Sequence, residues 1–369
     1  MQTENSDEFF MKLALEQAKL AWGDTAPNPM VGAVLVKDGN VIAKGYHHRD
    51  GMAHAEIDCL QKVDFNAKDC TMYVTLEPCS TKGRTGACSD AIIRAGVKRV
   101  VAACQDPNPM HAGRASKVFS QNNVDCLFGV LEQQCRELNF IFNKNITTKS
   151  ALLAIKYAIT KDGKITKKQG TQTSITCDES KADVMRWRRL FSSIGVGYAT
   201  LIADNPSLTS RLGDSVHCPQ RLIFDASLKL SERNDISSFK VFADEFKTNT
   251  RVVCDSSASI ESENALKSQG LNVMRIAYAK NSPEFWNKLK QQLYTEKICS
   301  LYVEGGASLF ASVCEAKAVD YVFEYVADKT FGCGLNAFEK KYFTIKEVET
   351  LRFGSDTFKR GYPEWTQKL

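Results

Sequence analysis

Three short stretches constrain this 369-residue chain more than anything else in it: His54-Ala-Glu56, Glu77-Pro-Cys79 and Cys88. The first opens a predicted helix, the second closes a predicted strand, and Cys88 opens the next helix. One imidazole and two thiolates suit a tetrahedral Zn²⁺, and three protein ligands leave a fourth position open, as in a catalytic rather than a structural site. An ion so held draws the pKa of a bound water toward about 7. Glu56, two residues from the ligand, is placed to carry a proton from that water to a leaving nitrogen, not to coordinate. A chain that must bring these groups together needs a strand and two helices meeting at one edge.

The surrounding pattern supplies them. Phe10, Leu13, Ala14, Ala18 and Ala21 recur at helical spacing up to Pro27-Asn-Pro29. Val31–Val36 and Val41–Ala43 flank Lys37-Asp-Gly-Asn40, a hairpin signal. A helix around Ala53–Leu60, a strand at Thr71–Leu76, a helix at Ala87–Ala95 and a strand at Lys98–Ala103 complete a β-β-α-β-α-β order. That order predicts a three-layer α/β domain. The polar run Asn143–Ser150 reads as a linker, which divides the chain into domains 1–147 and 148–369. The length agrees, at about 150 residues per domain.

The second half is again α/β, with short apolar strands at Ala151–Ile159, Ile194–Gly197, Arg221–Asp225, Arg251–Cys254 and Ser300–Glu304. Gly195-Val-Gly197 lacks the third glycine of a dinucleotide fingerprint, and no acidic residue follows at the expected distance. Leu301–Glu304 running into Gly305-Gly306 and a helix offers free backbone N–H groups, a natural cradle for phosphate. A net charge of +5 is too small for this length to announce a nucleic-acid binder. No uncharged apolar run approaches the ~18 to 20 residues that span a bilayer. The first residues lack the basic and apolar regions of a signal peptide, so a cytoplasmic protein is expected. Thirteen scattered cysteines read mostly as reduced, buried thiols, Cys59, Cys70, Cys104, Cys126 and Cys135 among them.

His-x-Glu with Pro-Cys and a further Cys is the pattern of zinc nucleobase deaminases, although eight residues, Ser80 to Ala87, separate Cys79 from Cys88 where two are usual. Pro27–Ala33, Gly45–Gly51, His54-Ala-Glu56, Val74–Cys79, Gly83-Arg-Thr85 and Asp106–Pro109 together resemble the bifunctional riboflavin-biosynthesis deaminase/reductase family, the RibD family, in which that long loop is ordinary. Ile194–Arg211 and Val303–Gly306 resemble its reductase half. The resemblance implies a cytidine-deaminase-like first domain and a dihydrofolate-reductase-like second. It implies hydrolytic deamination of 2,5-diamino-6-ribosylamino-4(3H)-pyrimidinone 5′-phosphate, then NADPH reduction of the ribosyl to a ribityl chain.

Carried over residue by residue, the resemblance assigns zinc to His54, Cys79 and Cys88 and the proton transfer to Glu56. Substrate contacts fall on Asn28, His47, Arg84, Gln172, Arg188, Leu208, Arg211 and Glu304. Cofactor contacts fall on Ala158, Ser174, Thr200, Asp204 and the run Gly306, Ala307, Ser308, Leu309, Phe310, Ala311 and Ser312. The chain departs from the family at Ser80-Thr81, Gly86-Ala87 and Thr160-Lys161. Gln172 replaces a substrate-facing Ser and Ser174 a Trp beside the cofactor. A small phosphorylated pyrimidine as partner, neither nucleic acid nor membrane, and a homo-oligomeric state complete the expectation.

Two alternatives stand beside it. One keeps the deaminase but makes the second domain a nucleic-acid-binding module, with Arg186-Trp-Arg-Arg189 as its basic, aromatic cluster. The other closes a structural zinc site with a fourth protein ligand, Cys59 being the nearest in sequence.

Overall fold

A computed structural model describes residues 6–81, 86–168, 170–171 and 173–366. The chain divides into two units, Met1–Lys149 and Ser150–Leu369. The expected 147/148 junction falls inside a helix, because the polar run read as a linker is helical to Thr148 and stops at Lys149 in the left-handed region. There the Thr147 and Thr148 hydroxyls donate to the Asn143 and Lys144 carbonyls, which lets polar residues sit in a helix.

In chain order the first unit comprises α1 (Ser6–Lys19), β1 (Gly32–Lys37), β2 (Asn40–Tyr46), α2 (Ala55–Gln61), β3 (Thr71–Val74), α3 (Cys88–Arg94), β4 (Arg99–Ala102), α4 (Arg114–Gln121), β5 (Asp125–Phe128), α5 (Glu132–Leu138) and α6 (Phe140–Thr148). Its sheet runs β2-β1-β3-β4-β5. The β1–β2 hairpin closes at Lys37 and Asn40, as the turn chemistry predicts. β3, β4 and β5 pair in parallel. Gly32–Val36 of β1 is buried at every position, so both faces of the sheet are covered and the unit has three layers.

Gly45 controls how closely the ligand-bearing helix approaches. A Cβ there would lie 2.4 Å from the Cys59 nitrogen and 2.5 Å from the Ala55 carbonyl oxygen, both in α2. Gly45→Ala is therefore expected to push α2 off β2 and destabilise this unit by about 1–3 kcal/mol, in the range of overpacked cores. Thermal unfolding and zinc affinity measured on the same variant should fall together; an unchanged transition would contradict the close contact.

The second unit comprises β6 (Leu152–Thr160), β7 (Lys164–Thr166), α7 (Asp178–Leu190), β8 (Ser193–Gly197), α8 (Tyr198–Asp204), β9 (Ser210–Leu212), β10 (Ser215–His217) and β11 (Gln220–Phe224). It continues with α9 (Lys240–Ala243), β12 (Thr250–Cys254), α10 (Ile260–Ser268), β13 (Asn272–Arg275), α11 (Pro283–Thr295), β14 (Ser300–Val303), α12 (Ala307–Glu315) and β15 (Tyr321–Ala327). β16 (Leu335–Asn336), β17 (Phe343–Phe353) and β18 (Asp356–Trp365) end it. The main sheet runs β13-β12-β11-β8-β14-β6-β15-β18-β17. From β13 to β15 the pairing is parallel, and β18 and β17 add an antiparallel edge. Leu153, Ile155, Leu222, Val253, Trp286, Leu301 and Val313 share one buried cluster between sheet and helices. The carboxyl ends of the parallel strands therefore lie along one edge, where an open α/β sheet binds its ligands.

Candidate functional site

Two clusters of polar side chains stand out, one per unit. In the first, His54 caps the start of α2, Cys79 follows β3 and Cys88 begins α3. Their ligand atoms all lie within 4.8 Å of one another, and they form the sole such group of three or more among the described residues. His54 Nδ1 is 3.6 Å from Cys79 Sγ and 3.3 Å from Cys88 Sγ. Tetrahedral Zn²⁺ with its usual bond lengths sets nitrogen and sulfur about 3.6 Å apart, so the three residues fit that ion. The Cys88 backbone N–H donates to Cys79 Sγ at 3.3 Å. Hydrogen bonds from the Cys88 thiol and His54 hold the Cys79 thiol well below the ordinary thiol range. Cys88, bonded to that thiolate and buried, is pushed up. The proton the sulfurs share is one that a cation displaces.

Glu56 is 4% exposed and lies in the first turn of the same helix. Burial, and then the Cys79 thiolate, push its carboxyl up to about 7. It stands outside the three-ligand group, and so does Cys59, which is wholly buried. No fourth protein ligand closes the site among the described residues, which removes the structural-zinc alternative in its Cys59 form.

Around this centre, Asn28 Nδ2 donates to Asp50 Oδ1 at 3.0 Å and lies 3.2 Å from His47 Nε2. His47 Nδ1 meets the Ala53 carbonyl at 2.9 Å, and burial keeps the ring toward its neutral form. The carbonyl requires hydrogen on Nδ1, which leaves Nε2 to accept from Asn28. The His47 and His54 rings are 5.6 Å apart. Asn139, buried in the loop before α6, holds the Met30 backbone through both its N–H and its carbonyl and so fixes the segment carrying Asn28. Glu77, next to the Pro-Cys pair, accepts backbone N–H groups from Asp106, Gly113 and Ala115 at 3.0–3.1 Å. Asp50, Glu77 and Asn139 were not singled out from the sequence. Asp50 and Glu77 belong to quoted motifs, whereas nothing marks Asn139. His48 is structural, stacked on Tyr46 and 3.5 Å from Asp58. Arg84 lies outside the described residues.

In the second unit a cleft of about 1250 Å³ runs across the strand ends. Ala158, Ser174, Thr200, Asp204, Glu304, Gly306, Ala307, Ser308, Leu309, Phe310 and Ser312 line it. Gly306 has φ +88°, and a Cβ there would meet Thr200 Oγ1 at 3.0 Å. No side chain caps α12, and Ala307 and Ser308 at its start line the cleft, so their backbone N–H groups are a fit for a diphosphate. Burial alone would raise the Glu304 carboxyl, yet Arg188 and Lys156 outweigh it and hold it low. Arg188 grips both carboxylate oxygens, at 2.5 and 2.8 Å, and Lys156 stands 3.8 Å away. Lys156 was missed, because nothing in the sequence separates it from the other residues of β6, an apolar strand.

Several expected contacts fall elsewhere. Ala311 does not line the cleft, being about 100° around α12 from Ser312. Leu208 is buried, 1% exposed, with φ +53°, and Arg211 lies exposed on the β9–β10 hairpin; neither borders the cleft. Arg188 reaches it only through Glu304. Gln172 is outside the described residues. Trp187 is 2% exposed and donates to Asp183, which Arg186 also binds, so Arg186–Arg189 offers no stacking platform for bases.

Residues 4–104 match the family model described as cytidine and deoxycytidylate deaminase zinc-binding region. Residues 151–359 match that of the RibD C-terminal domain. The riboflavin biosynthesis protein RibD of Aquifex aeolicus is 37% identical over 94% of this chain and 94% of its own. The chain belongs to the RibD family. Its Escherichia coli member is 33% identical, over 93% of this chain and 96% of its own. The solved Thermotoga maritima diaminohydroxyphosphoribosylaminopyrimidine deaminase/5-amino-6-(5-phosphoribosylamino)uracil reductase superposes with a TM-score of 0.80, 32% identical, covering 97% of this chain and 99% of that one. Acinetobacter baumannii RibD gives 0.81 at 28% identity, covering 98% and 99%. As a family member the chain is a bifunctional enzyme of riboflavin biosynthesis, a zinc-dependent deaminase joined to an NADPH-dependent reductase with a dihydrofolate-reductase-like fold. Among the described residues no helix is long and apolar enough to cross a membrane.

Proposed function

We propose that the first unit removes an amino group from 2,5-diamino-6-ribosylamino-4(3H)-pyrimidinone 5′-phosphate, with His54, Cys79 and Cys88 holding zinc. The observation that carries this is the three-ligand group with an unligated, buried carboxyl beside it. When bound, zinc acts as a Lewis acid that makes water nucleophilic at neutral pH. Glu56 takes the proton of that water and passes it to the ring-bound nitrogen, which leaves as ammonia. Asn28 and His47, tied to each other and to Asp50, present donors and acceptors to the pyrimidine, and the Arg84 loop meets the phosphate.

In the second unit the Gly306–Ser312 segment would hold the cofactor, whose nicotinamide supplies the hydride that turns ribosyl into ribityl. Thr200 and Asp204 line the same cleft. Glu304, fixed by Arg188 and Lys156, presents a carboxylate at its other side. Arg188 is committed to Glu304, so its part is to orient that carboxylate. Arg211, with no carboxylate at ion-pair distance among the described residues, is the guanidinium free to meet a phosphate. Ser174, which lines the cleft, makes the nicotinamide end more polar than a Trp would.

The reading extends to a cytoplasmic, homo-oligomeric enzyme that acts on a free metabolite and on neither nucleic acid nor a membrane. Thirteen free cysteines support a reducing compartment, and light scattering on the purified chain measures the oligomeric state. The central test is incubation with the diaminopyrimidinone phosphate. Ammonia should appear without NADPH, and the nicotinamide absorbance should fall only once deaminated product is present. Ammonia release with no NADPH consumption would remove the reductase half.

A further inference from the structure

The cleft of the second unit has two chemically different ends. At one, Lys156 faces Glu304. The other is built from the segments at and beyond the ends of β11, β12 and β13, namely Phe224 to Ser227, Lys229, Val253 and Lys280, with Trp286 beside them. The Gly305-Gly306 turn leaves β14, which is separated from β12 by β8 and β11. At ~4.8 Å between strands, β12 is roughly 14 Å from that turn. A dinucleotide with its diphosphate on the start of α12 and its nicotinamide toward Glu304 therefore carries its adenosine to the ends of β11 and β12.

Four basic residues border the cleft among the described ones: Lys156, Lys181, Lys229 and Lys280. Lys156 faces Glu304, and Lys181 is 2.8 Å from Asp178. The other two are both at the adenosine end, and neither ammonium has a carboxylate at ion-pair distance among the described residues. Their backbones are fixed. The Lys280 N–H donates to Asp255 Oδ2 at 2.9 Å, and its carbonyl accepts from Ser312 Oγ at 2.7 Å. Ser312 accepts in turn from the Trp286 ring N–H. Lys229 opens a short 3₁₀ turn whose Leu230 N–H is held by Asp225 Oδ2 at 2.8 Å.

Asp225 matters for what it does not do. A carboxylate free to face the adenosine ribose would accept from its 2′-hydroxyl and repel a 2′-phosphate. Here it is 3% exposed and turned onto the loop that carries Lys229. The acid that would disfavour the extra phosphate instead positions a cation for it.

We propose that Lys229 and Lys280 form the subsite for the phosphate on the adenosine ribose and so select NADPH over NADH, an inference that rests on reading this cleft as the nucleotide site. The test is direct binding to the full chain, without substrate, by calorimetry with 2′,5′-ADP and by nucleotide fluorescence with NADPH and NADH. In the Lys229→Ala/Lys280→Ala variant, affinity for 2′,5′-ADP and NADPH should drop about tenfold or more, as expected for lost charge-assisted contacts. NADH affinity should stay within about twofold, and the NADPH preference should weaken in the unsubstituted chain as salt rises. Equal losses for NADPH and NADH, or no loss for either, would overturn the proposal while leaving the cleft a nucleotide site. If the unsubstituted chain binds none of the three probes, the reading of the cleft fails and the proposal with it.

Discussion

Glu56→Gln should lower ammonia release by about 10²- to 10⁴-fold, the usual contribution of a positioned general acid–base group, with zinc still bound at its original stoichiometry. Gln keeps the shape and volume of the side chain but cannot carry a proton at neutral pH. The ligands His54, Cys79 and Cys88 are untouched, and Glu56 is not among them. The side chain is buried against Cys88, so the substitution removes a titrating group without opening a cavity. Metal content by atomic absorption and ammonia release should be read on one preparation. Full activity in a zinc-replete variant would show that the proton travels by another route. Chelation of the parent enzyme should silence the same step while NADPH consumption with deaminated substrate continues.

The second large effect is expected at Arg188. Its guanidinium forms the forked pair with Glu304, whose side chain is 6% exposed. Arg188→Met keeps the length and removes the charge, leaving a buried carboxylate with Lys156 alone at 3.8 Å. Breaking such a pair from one side costs about 3–5 kcal/mol, and the Thr209 carbonyl loses its donor as well. The pH dependence has a definite sign. In the parent the Glu304 carboxyl is held below its ordinary value of 4.5. Its contribution is present above about 4.5 and fades as pH falls through the lower folded value. In the variant, burial dominates and the carboxyl rises, so acid neutralises it and relieves the penalty. The stability gap between variant and parent should therefore shrink as pH is lowered from about 7 toward about 5. Thermal unfolding across that range measures it; a constant gap would mean that lost packing, not charge, is responsible.

Much of the deaminase unit is legible in the sequence because its chemistry is local. His54, Glu56 and Cys88 each sit at a helix start that periodicity and turn residues mark, Cys79 follows β3, and β1, β3 and β4 lie within a residue or two of the expected strands, while β2 runs three residues further. The helix over Phe140–Thr148 is not legible, since Asn143–Ser150 is polar and its helicity depends on one buried side and on hydroxyls bonded back into the helix. The second site is less accessible still. Its cleft is assembled from β7 and the ends of β6, β8, β11, β12 and β14, with lining residues scattered from Lys156 to Leu335. Sequence pattern finds such strands but not their order. Ala311, Leu208 and Arg211 do not line the cleft for that reason: position in a motif says nothing about which way a helix face or a hairpin turns. Asp225 shows the converse. No strand-ending acid stands at the customary spacing after the glycine pair, and the structure supplies one later in the chain, already engaged by its own turn.

The carboxylate of Glu77 has a consequence for how this enzyme can change over time. With three main-chain amides from residues 106–115 bound to it, the segment between β4 and α4 is anchored to the residue beside Pro78-Cys79 through its backbone. Side chains between the anchor points can then be exchanged while the backbone that Glu77 holds stays in place.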